Sequence, residues 1–567
     1  MNPNETSASG CMINLGKKGG TAGYVSRPLW TRFFCFEGYM NIDLYDTTLR
    51  DGSQQEGISL SVEDKIKITK KLDELGIHYI EGGWPGSNPK DEEYFSVVKS
   101  LKLVHSKIAA FGSTRRANIK VDEDANIRAL IDAATPVVTI VGKSSDVQVI
   151  NILETSLEEN LSMIYDSISF IKNTGSQVFF DAEHFFDGYK SNKEYALQCL
   201  QAARDAGADC LVLCDTNGGV LTSEITEIVE LVTESIGGSV GIHCHNDTDM
   251  AVANSIAALK AGAVHVQGTI NGYGERCGNA NIVSLIANLK IKMGIDCIND
   301  SQLESLTDVS HYVSDIVNIP PNGQQPYVGV SSFSHKGGLH AAAMAKMDES
   351  YQHVSPALVG NLTRVVVSEL SGRGNIRHRL MGLGLEGKLS GEQELSLLQN
   401  IKIRESKGFQ YETAGASFEL MARRILDNYE APFDLVDFMV MVENNRRLSV
   451  LQDFDGNEDL LAEAMVKVNV DGHIMHTVAE GNGPVNALDN ALRKALLEFY
   501  PSLIDVKLLD YKVRVVDEGQ DTKAVVRVLI ESTDGKDQWQ TVGASSNIIE
   551  ASWMALADSL EYFLIHS

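Results

Sequence analysis

Residues 241–280 read GIHCHNDTDMAVANSIAALKAGAVHVQGTINGYGERCGNA. A short apolar run ends in His-Cys-His-Asn-Asp. An amphipathic stretch then runs to Gly262, and a second apolar run ends in a glycine-rich polar loop. This is the pattern of a strand, a loop, a helix and a strand, and it recurs from Met40 onward. Apolar runs fall at Ile42–Tyr45, His78–Glu81, Ile108–Phe111, Val137–Val141, Val178–Asp181, Cys210–Cys214, Val240–Cys244 and Val264–Gly268. Helical patterns lie between them. Ser61-Val-Glu-Asp64 reads as a capping box that opens one helix, and Gly76 as its stop. Strands alternating with helices imply a parallel sheet. Eight such units in about 250 residues predict an α/β fold of the closed (β/α)8 TIM-barrel type rather than an open doubly wound sheet. The dinucleotide fingerprint expected of the open alternative is missing, because the gap from Gly274 to Gly278 is one residue too wide. The unusual polar clusters DTTLRDG, DAEHFFDG, CDTNGG, HCHND and NGYGERCGNA all follow strands. In a barrel these ends share one mouth, where active sites are built.

Alternate side chains on a strand face the same way. His243 and His245 therefore both face the barrel interior, and Cys244 faces outward. Two imidazoles leave a metal ion short of ligands. The eighth strand lies between the seventh and the first, and candidate oxygen ligands there are Asp51 and Asn279. Two His, one Asp and one Asn carbonyl suit Mg2+, Mn2+, Co2+ or Zn2+, with room for a chelating substrate. An HxH pair alone is as often a core or capping pair; the convergence of three clusters on adjacent strand ends is the stronger signal. Arg50, beside Asp51, offers a fixed cation to a developing oxyanion, or else makes a surface salt bridge. Glu183 lies across the mouth as acid, base or orienter, with Asp181 and His184 as neighbours. Thr216 is placed to hydrogen-bond a carboxylate. Asp215 reads as a structural cap, and Glu275 and Arg276 as a pair holding the last loop.

The chain has 567 residues, enough for two to four domains. Its formal charge is -27, which argues against nucleic acid as a general partner. No apolar stretch of about 18 residues is present to span a membrane. The 8 cysteines lack zinc-ribbon spacing and read as free thiols of a reducing cytosol. Residues 1–39, rich in Ser, Gly and Asn, are expected to form a disordered extension, with Met40 as an alternative start. The barrel is expected over 40–318. Pro320, Pro321, Asn322 and Gly323 mark a break, and a helical region is expected over 319–433. An α+β domain is expected over 434–567, with an internal two-fold repeat. There TVAEGNGPVNALDNAL (477–492) aligns with TVGASSNIIEASWMAL (541–556), each copy following alternating strands such as MVKVNVDG and KVRVVDEG.

DTTLRDGSQQEG (46–57), HCHNDTDMAVANSIAALKAGA (243–263), NGYGERCGNANI (271–282), FSHKGGLHAAA (333–343) and VVVSELSGRGNI (365–376) together resemble the family of 2-isopropylmalate, homocitrate and citramalate synthases. The resemblance runs from about Met40 to the C-terminus. IEGGWPGSNPKD (80–91) and SELSGRGNI (368–376) are most similar to the citramalate branch. It implies a divalent metal held by Asp51, His243, His245 and Asn279, a 2-oxo acid chelated to it, and acetyl-CoA as co-substrate. The acetyl group is enolised and attacks the keto carbon, and the thioester is then hydrolysed. Arg50 and Glu183 are implied in catalysis, and Arg50, Asp51 and Thr216 in substrate binding. His340 and Tyr351 are implied as helpers, although Gly337-Gly338-Leu339 stands where the family often has Ser-Gly-Ile. Pyruvate is the implied oxo acid, in isoleucine biosynthesis, with 2-oxoisovalerate the alternative. Trp84 and Phe111 are candidates to narrow the substrate pocket. The terminal repeat resembles the family's regulatory domain, implying a homodimer with isoleucine as effector. CoA-binding residues are unassigned; Arg115, Arg116 and Lys143 are candidates for its phosphates. A lyase of the HMG-CoA type is less consistent with the terminal domain, and an inert sensor less consistent with the intact site residues.

Overall fold

The computed structural model describes residues 41–336, 340, 343–344, 346–347, 350–365, 368, 372–443, 461–516 and 524–567. The extension expected over 1–39 lies outside the described residues, as do parts of the FSHKGGLH and SELSGRGNI segments.

Eight parallel strands close on themselves in sequence order. They are β1 (Asp43–Asp46), β2 (Tyr79–Gly83), β3 (Lys107–Ser113), β4 (Val137–Lys143), β5 (Gln177–Glu183), β6 (Cys210–Asp215), β7 (Val240–Cys244) and β8 (His265–Gly268). Closure is made by β8 pairing with β1, Asp43 opposite His265 and Asp46 opposite Gly268. Each strand overlaps its expected run. The capping box is present, with Asp64 N donating to Ser61 Oγ at 3.1 Å and Ser61 N to Asp64 Oδ2 at 3.0 Å. Gly76, at φ 90°, ends that helix in the left-handed region.

The strand alternation divides the barrel into two cores. Leu44, Ile80, Ile140, Phe180, Leu213, Ile242 and Cys244 pack outward against the helices. Tyr45, Tyr79, Ala109, Val137, Phe179, Val212 and Cys214 fill the interior. His265 joins that interior floor, with ring centroids 5.2 Å from Tyr45 and 5.1 Å from Phe179. Neither of its nitrogens has a hydrogen-bond partner.

Beyond the barrel, β9 (Ser334–His335) and β10 (Arg364–Val365) form a two-stranded parallel pair. Helices Arg373–Gly382, Gly391–Ser406 and Gly415–Arg423 follow. The C-terminal domain holds two antiparallel sheets: β11 (Asp434–Glu443), β12 (Leu461–Val470) and β13 (His473–Gly481), then β14 (Lys507–Val515), β15 (Val526–Thr533) and β16 (Gln538–Ser545). Helix Pro484–Leu496 follows the first sheet and helix Ile548–His566 the second. Thr477 Oγ1 on β13 donates to the Ala491 carbonyl at 2.7 Å, and Thr541 Oγ1 on β16 to the Ala555 carbonyl at 2.8 Å. The repeat thus conserves a strand-to-helix hydrogen bond as well as a pattern. The two alternating runs quoted from sequence are not counterparts, however. MVKVNVDG begins in the second strand of its sheet and KVRVVDEG in the first strand of the other, whereas the repeat sets β15 against β12. Among the described residues, no helix is long and apolar enough to cross a membrane.

Burial depresses the His265 imidazole to about 3, from an ordinary value of 6.5. Between these values the unfolded chain takes up a proton that the folded chain refuses. Stability is therefore full above pH 6.5 and falls as the pH drops toward 3. From pH 7 to pH 5 the loss from this residue is about 2 kcal/mol. Urea unfolding at the two pH values should show His265→Phe losing about 2 kcal/mol less than the native chain over that interval. Equal losses would mean that the ring is charged or bonded in the fold.

Candidate metal centre and active site

Asp51 sits in the turn after β1. Thr47 O accepts from both Arg50 N and Gly52 N there, at 3.1 and 3.0 Å. Thr48 Oγ1 donates to Asp46 Oδ2 at 2.9 Å and accepts from Ile270 N at 2.8 Å, which ties the turn to the end of β8. His243 lies on β7, and His245 follows it by two, on the same face. An isolated antiparallel bridge sets Asn279 opposite His245. Asn279 reaches that place because the loop before it folds back tightly. At Gly274, with φ 155°, an added Cβ would lie 2.2 Å from Asn279 Nδ2. At Gly278, with φ 87°, it would lie 2.0 Å from Gly272 O.

Asp51, His243 and His245 bring one ligand atom each to within 4.8 Å of one another, and all three are buried. Asp51 Oδ1, His245 Nδ1 and Asn279 Oδ1 have no hydrogen-bond partner. Buried polar atoms are normally satisfied. Orphaned oxygen and imidazole donors gathered at one point fit a divalent cation, so the residues present suit the implied metal. Cys244 packs with the outer core, away from this set. Burial alone would raise the Asp51 carboxyl, but Arg50, then His243 and His245, override it and hold it below its usual range. Burial, assisted by His243, lowers the His245 imidazole to about 4, which leaves its lone pair free near neutral pH.

Two residues behind the centre carry no sequence signature beyond being polar in apolar strands. Gln267 on β8 is 2.9 Å from His243 Nδ1 through its Oε1, and its Nε2 donates to Asp181 Oδ1 at 3.0 Å. Because the amide N–H is committed to Asp181, Oε1 receives the proton of His243 Nδ1, and Nε2 of that ring is left with the lone pair. Glu81, within the run His78–Glu81, is fully buried on β2. It accepts from Arg50 Nε at 2.5 Å and from Tyr45 Oη at 2.6 Å. Arg50 is thus half-buried in a buried ion pair, and its guanidinium lies 3.9 Å over the Phe111 ring. Burial works against its charge, but Glu81 and Asp51 more than compensate.

Arg50, Asp51, Glu183, Thr216 and His245 line one cavity of about 420 Å3, with Trp84 and Phe111 on one wall. These two rings meet edge to face at 5.6 Å. Glu183 Oε2 is 2.6 Å from Lys143 Nζ, across the β4–β5 register pair that joins the two residues. Thr216 Oγ1 accepts from His184 N at 2.8 Å, so its own proton is free to donate into the cavity. Asp215 caps its loop as expected, accepting from Gly219 N and Val220 N. The main partner of Arg276 is Asp247 at 2.8 Å; Glu275 is 3.9 Å away. Asp247 therefore belongs to the clamp on the last loop.

The other expected residues stand elsewhere. His340 and Tyr351 stack on each other at 4.1 Å, and neither lines this cavity. Arg115 is buried and saturated by Glu159 at 2.7 Å and Asp166 at 2.8 Å, so it is not available to a CoA phosphate. Lys143 is committed to Glu183 inside the mouth. Of the three phosphate candidates only Arg116 is solvent-exposed and without a carboxylate within ion-pair distance among the described residues.

Comparison with known proteins agrees with this layout. The HMGL-like family matches residues 41–313, the homocitrate synthase post-HMGL domain-like family residues 327–407, and the LeuA allosteric (dimerisation) domain residues 412–564. The chain is 54% identical to the (R)-citramalate synthase of Geobacter sulfurreducens over 523 residues, which cover 92% of this chain and 97% of that one. It is 52% identical to the (R)-citramalate synthase of Aquifex aeolicus over the same shares. It is 48% identical to that of Synechocystis over 92% of this chain and 96% of the relative. The chain belongs to the (R)-citramalate synthase family.

Proposed function

We propose that the chain joins acetyl-CoA to pyruvate and hydrolyses the resulting thioester, releasing (R)-citramalate and CoA on a route to isoleucine. The observation that carries this reading is the cluster of orphaned buried donors on Asp51, His245 and Asn279 beside the Glu81-anchored Arg50. It lies in a chain alignable over nine-tenths of its length with citramalate synthases.

Asp51, His243, His245 and the amide oxygen of Asn279 would hold a divalent cation, which supplies Lewis acidity toward the keto and carboxylate oxygens of the oxo acid. Arg50 has its Nε taken by Glu81, so its Nη donors serve the oxygen on which negative charge develops. Thr216 donates its hydroxyl proton to the substrate carboxylate. Glu183, with one oxygen held by Lys143, uses the other to move a proton or to orient the group that does. A proton leaves the acetyl methyl, the carbanion forms the new C–C bond to the keto carbon, and the keto oxygen is protonated. Water then attacks the thioester carbonyl and CoA leaves as the thiol. His340, stacked on Tyr351, is assigned to proton transfer by the family resemblance. Trp84 and Phe111 bound the substrate side of the cavity and favour a methyl over a branched side chain, a discrimination of about 1–3 kcal/mol.

The C-terminal domain is read as the regulatory and dimerising unit. Met439, Ile474, Val478, Leu509 and Val513 are large apolar side chains left exposed on β11, β13 and β14. Such faces are normally covered by a partner, here a second copy of the chain.

A thiol-release assay with acetyl-CoA should show pyruvate turned over in preference to 2-oxoisovalerate and 2-oxoglutarate, and only with a divalent metal present. A preference for 2-oxoisovalerate would move the chain to 2-isopropylmalate synthesis, and inertness toward all three would remove the enzyme reading. Gln267→Leu should weaken metal binding, measured by titration against a chelator, by about 10–100-fold. Unchanged affinity would show that Gln267 does not orient His243. Isoleucine should inhibit turnover and leucine should not; inhibition by leucine instead, or by neither, would count against the assigned effector.

A further inference from the structure

Where the helical region meets the C-terminal domain, a cleft of about 380 Å3 lies far in sequence from the barrel mouth. Lys336, Lys402, Arg514 and Arg527 line it, with Glu405 and Glu412 as the acidic side chains. Cations outnumber carboxylates four to two in a chain with 49 basic and 76 acidic residues. One lysine is neutralised locally, since Lys336 Nζ lies 3.0 Å from Glu412 Oε2.

The arginines are the informative pair. Arg514 on β14 and Arg527 on β15 are direct cross-strand partners. Like charges set opposite each other on a ladder destabilise it. No carboxylate lies within ion-pair distance of either one among the described residues. Arg527 is instead held by neutral oxygens. Its Nε donates to Gly408 O at 2.5 Å and its Nη1 to Gln410 Oε1 at 2.6 Å. These contacts fix the guanidinium without an ion pair, and Glu405 on the cleft wall is the carboxylate that acts on its charge from a distance. Burial, and then the facing Arg514, lower its basicity, and the opposing pull of Glu405 does not restore it. Lys402 approaches from helix Gly391–Ser406 on the other wall. A half-buried cation opposite a second cation, with Lys402 nearby and no carboxylate in direct contact among the described residues, is costly unless an anion completes it. Planar guanidinium forks suit phosphoryl and carboxylate oxygens.

We propose that this cleft binds a small polyanion, of the phosphoryl or polycarboxylate class, between Arg514 and Arg527 of the C-terminal domain and Lys402 of the helical region. Lys336 on the same cleft follows β9 directly and precedes His340 by four residues in the chain.

Isothermal titration of the full-length chain with inorganic pyrophosphate, and separately with citrate, tests the site. The expected result is saturable binding of at least one of them at 1:1, with Kd of about 1 mM or tighter. Binding of pyrophosphate alone assigns a phosphoryl ligand, of citrate alone a polycarboxylate, and of both a general polyanion site. Arg514→Gln should weaken binding about tenfold or more, as should Lys402→Gln. Arg514 is exposed and, among the described residues, bonds nothing in the helical region, so Arg514→Gln should melt no lower than the native chain without anion. No saturable binding by either anion, or binding unchanged in both variants, would overturn the proposal.

Discussion

The mouth of this barrel depends on one buried carboxylate. Glu81 is sealed from solvent on β2 and accepts from Arg50 and Tyr45. A charge so placed is tolerable only when paired and hydrogen-bonded, and Arg50 meets that need. In return Arg50 is fixed over Phe111 with its outer donors toward the cavity and one of them 3.4 Å from Asp51. Tyr45 reaches Glu81 from the aromatic floor, and Thr139 lies 2.7 Å from the same hydroxyl. Burial, and then repulsion from Glu81, raise the Asp181 carboxyl well above its ordinary range, which disfavours a second negative charge in the interior. The position of the candidate metal centre thus traces back through Asp51 and Arg50 to a residue outside the lining of the cavity.

Much of this was legible in the sequence because a strand shows its two faces in alternate letters. Period two separated His243 and His245 from Cys244, and the order of strands put Asp51 and Asn279 beside them. What could not be read was who pairs with whom across the barrel. Arg115 looks like a free cation until helix Leu157–Lys172 presents Asp166 and Glu159 to it. Lys143 looks the same until the β4–β5 register sets it against Glu183. Glu81 and Gln267 left only a weak trace, a polar letter inside an apolar strand, and such letters are as often capping or packing residues. Asp247 carries no sign in the sequence that it clamps Arg276, a contact made between loops 29 residues apart.

The terminal repeat shows a different limit. Its helical halves align by eye because Thr477 and Thr541 each bond a helix carbonyl, and the alanines pack where strand and helix approach closely. Its strands align poorly, because alternation alone does not say which strand of three is being read. Helix Gly415–Arg423 also binds to the second sheet and its helix, through Ser417 to Val542 N and Asp558. The helical region and the C-terminal domain thus share side chains, and their joint is a structured contact.

Closure of the barrel between β8 and β1 gives the metal centre a place in the order of folding. Asp51 follows the first strand, and His243, His245 and Asn279 come from the seventh and from the loop after the eighth, 192, 194 and 228 residues later. No partly assembled set of strands holds this donor set, since the seam must be zipped before the ligands meet. The loop to be closed is long, so its entropy is met late. An ion held by all four residues can therefore lock only a completed cylinder, binding at the seam like a clasp rather than serving as a nucleus.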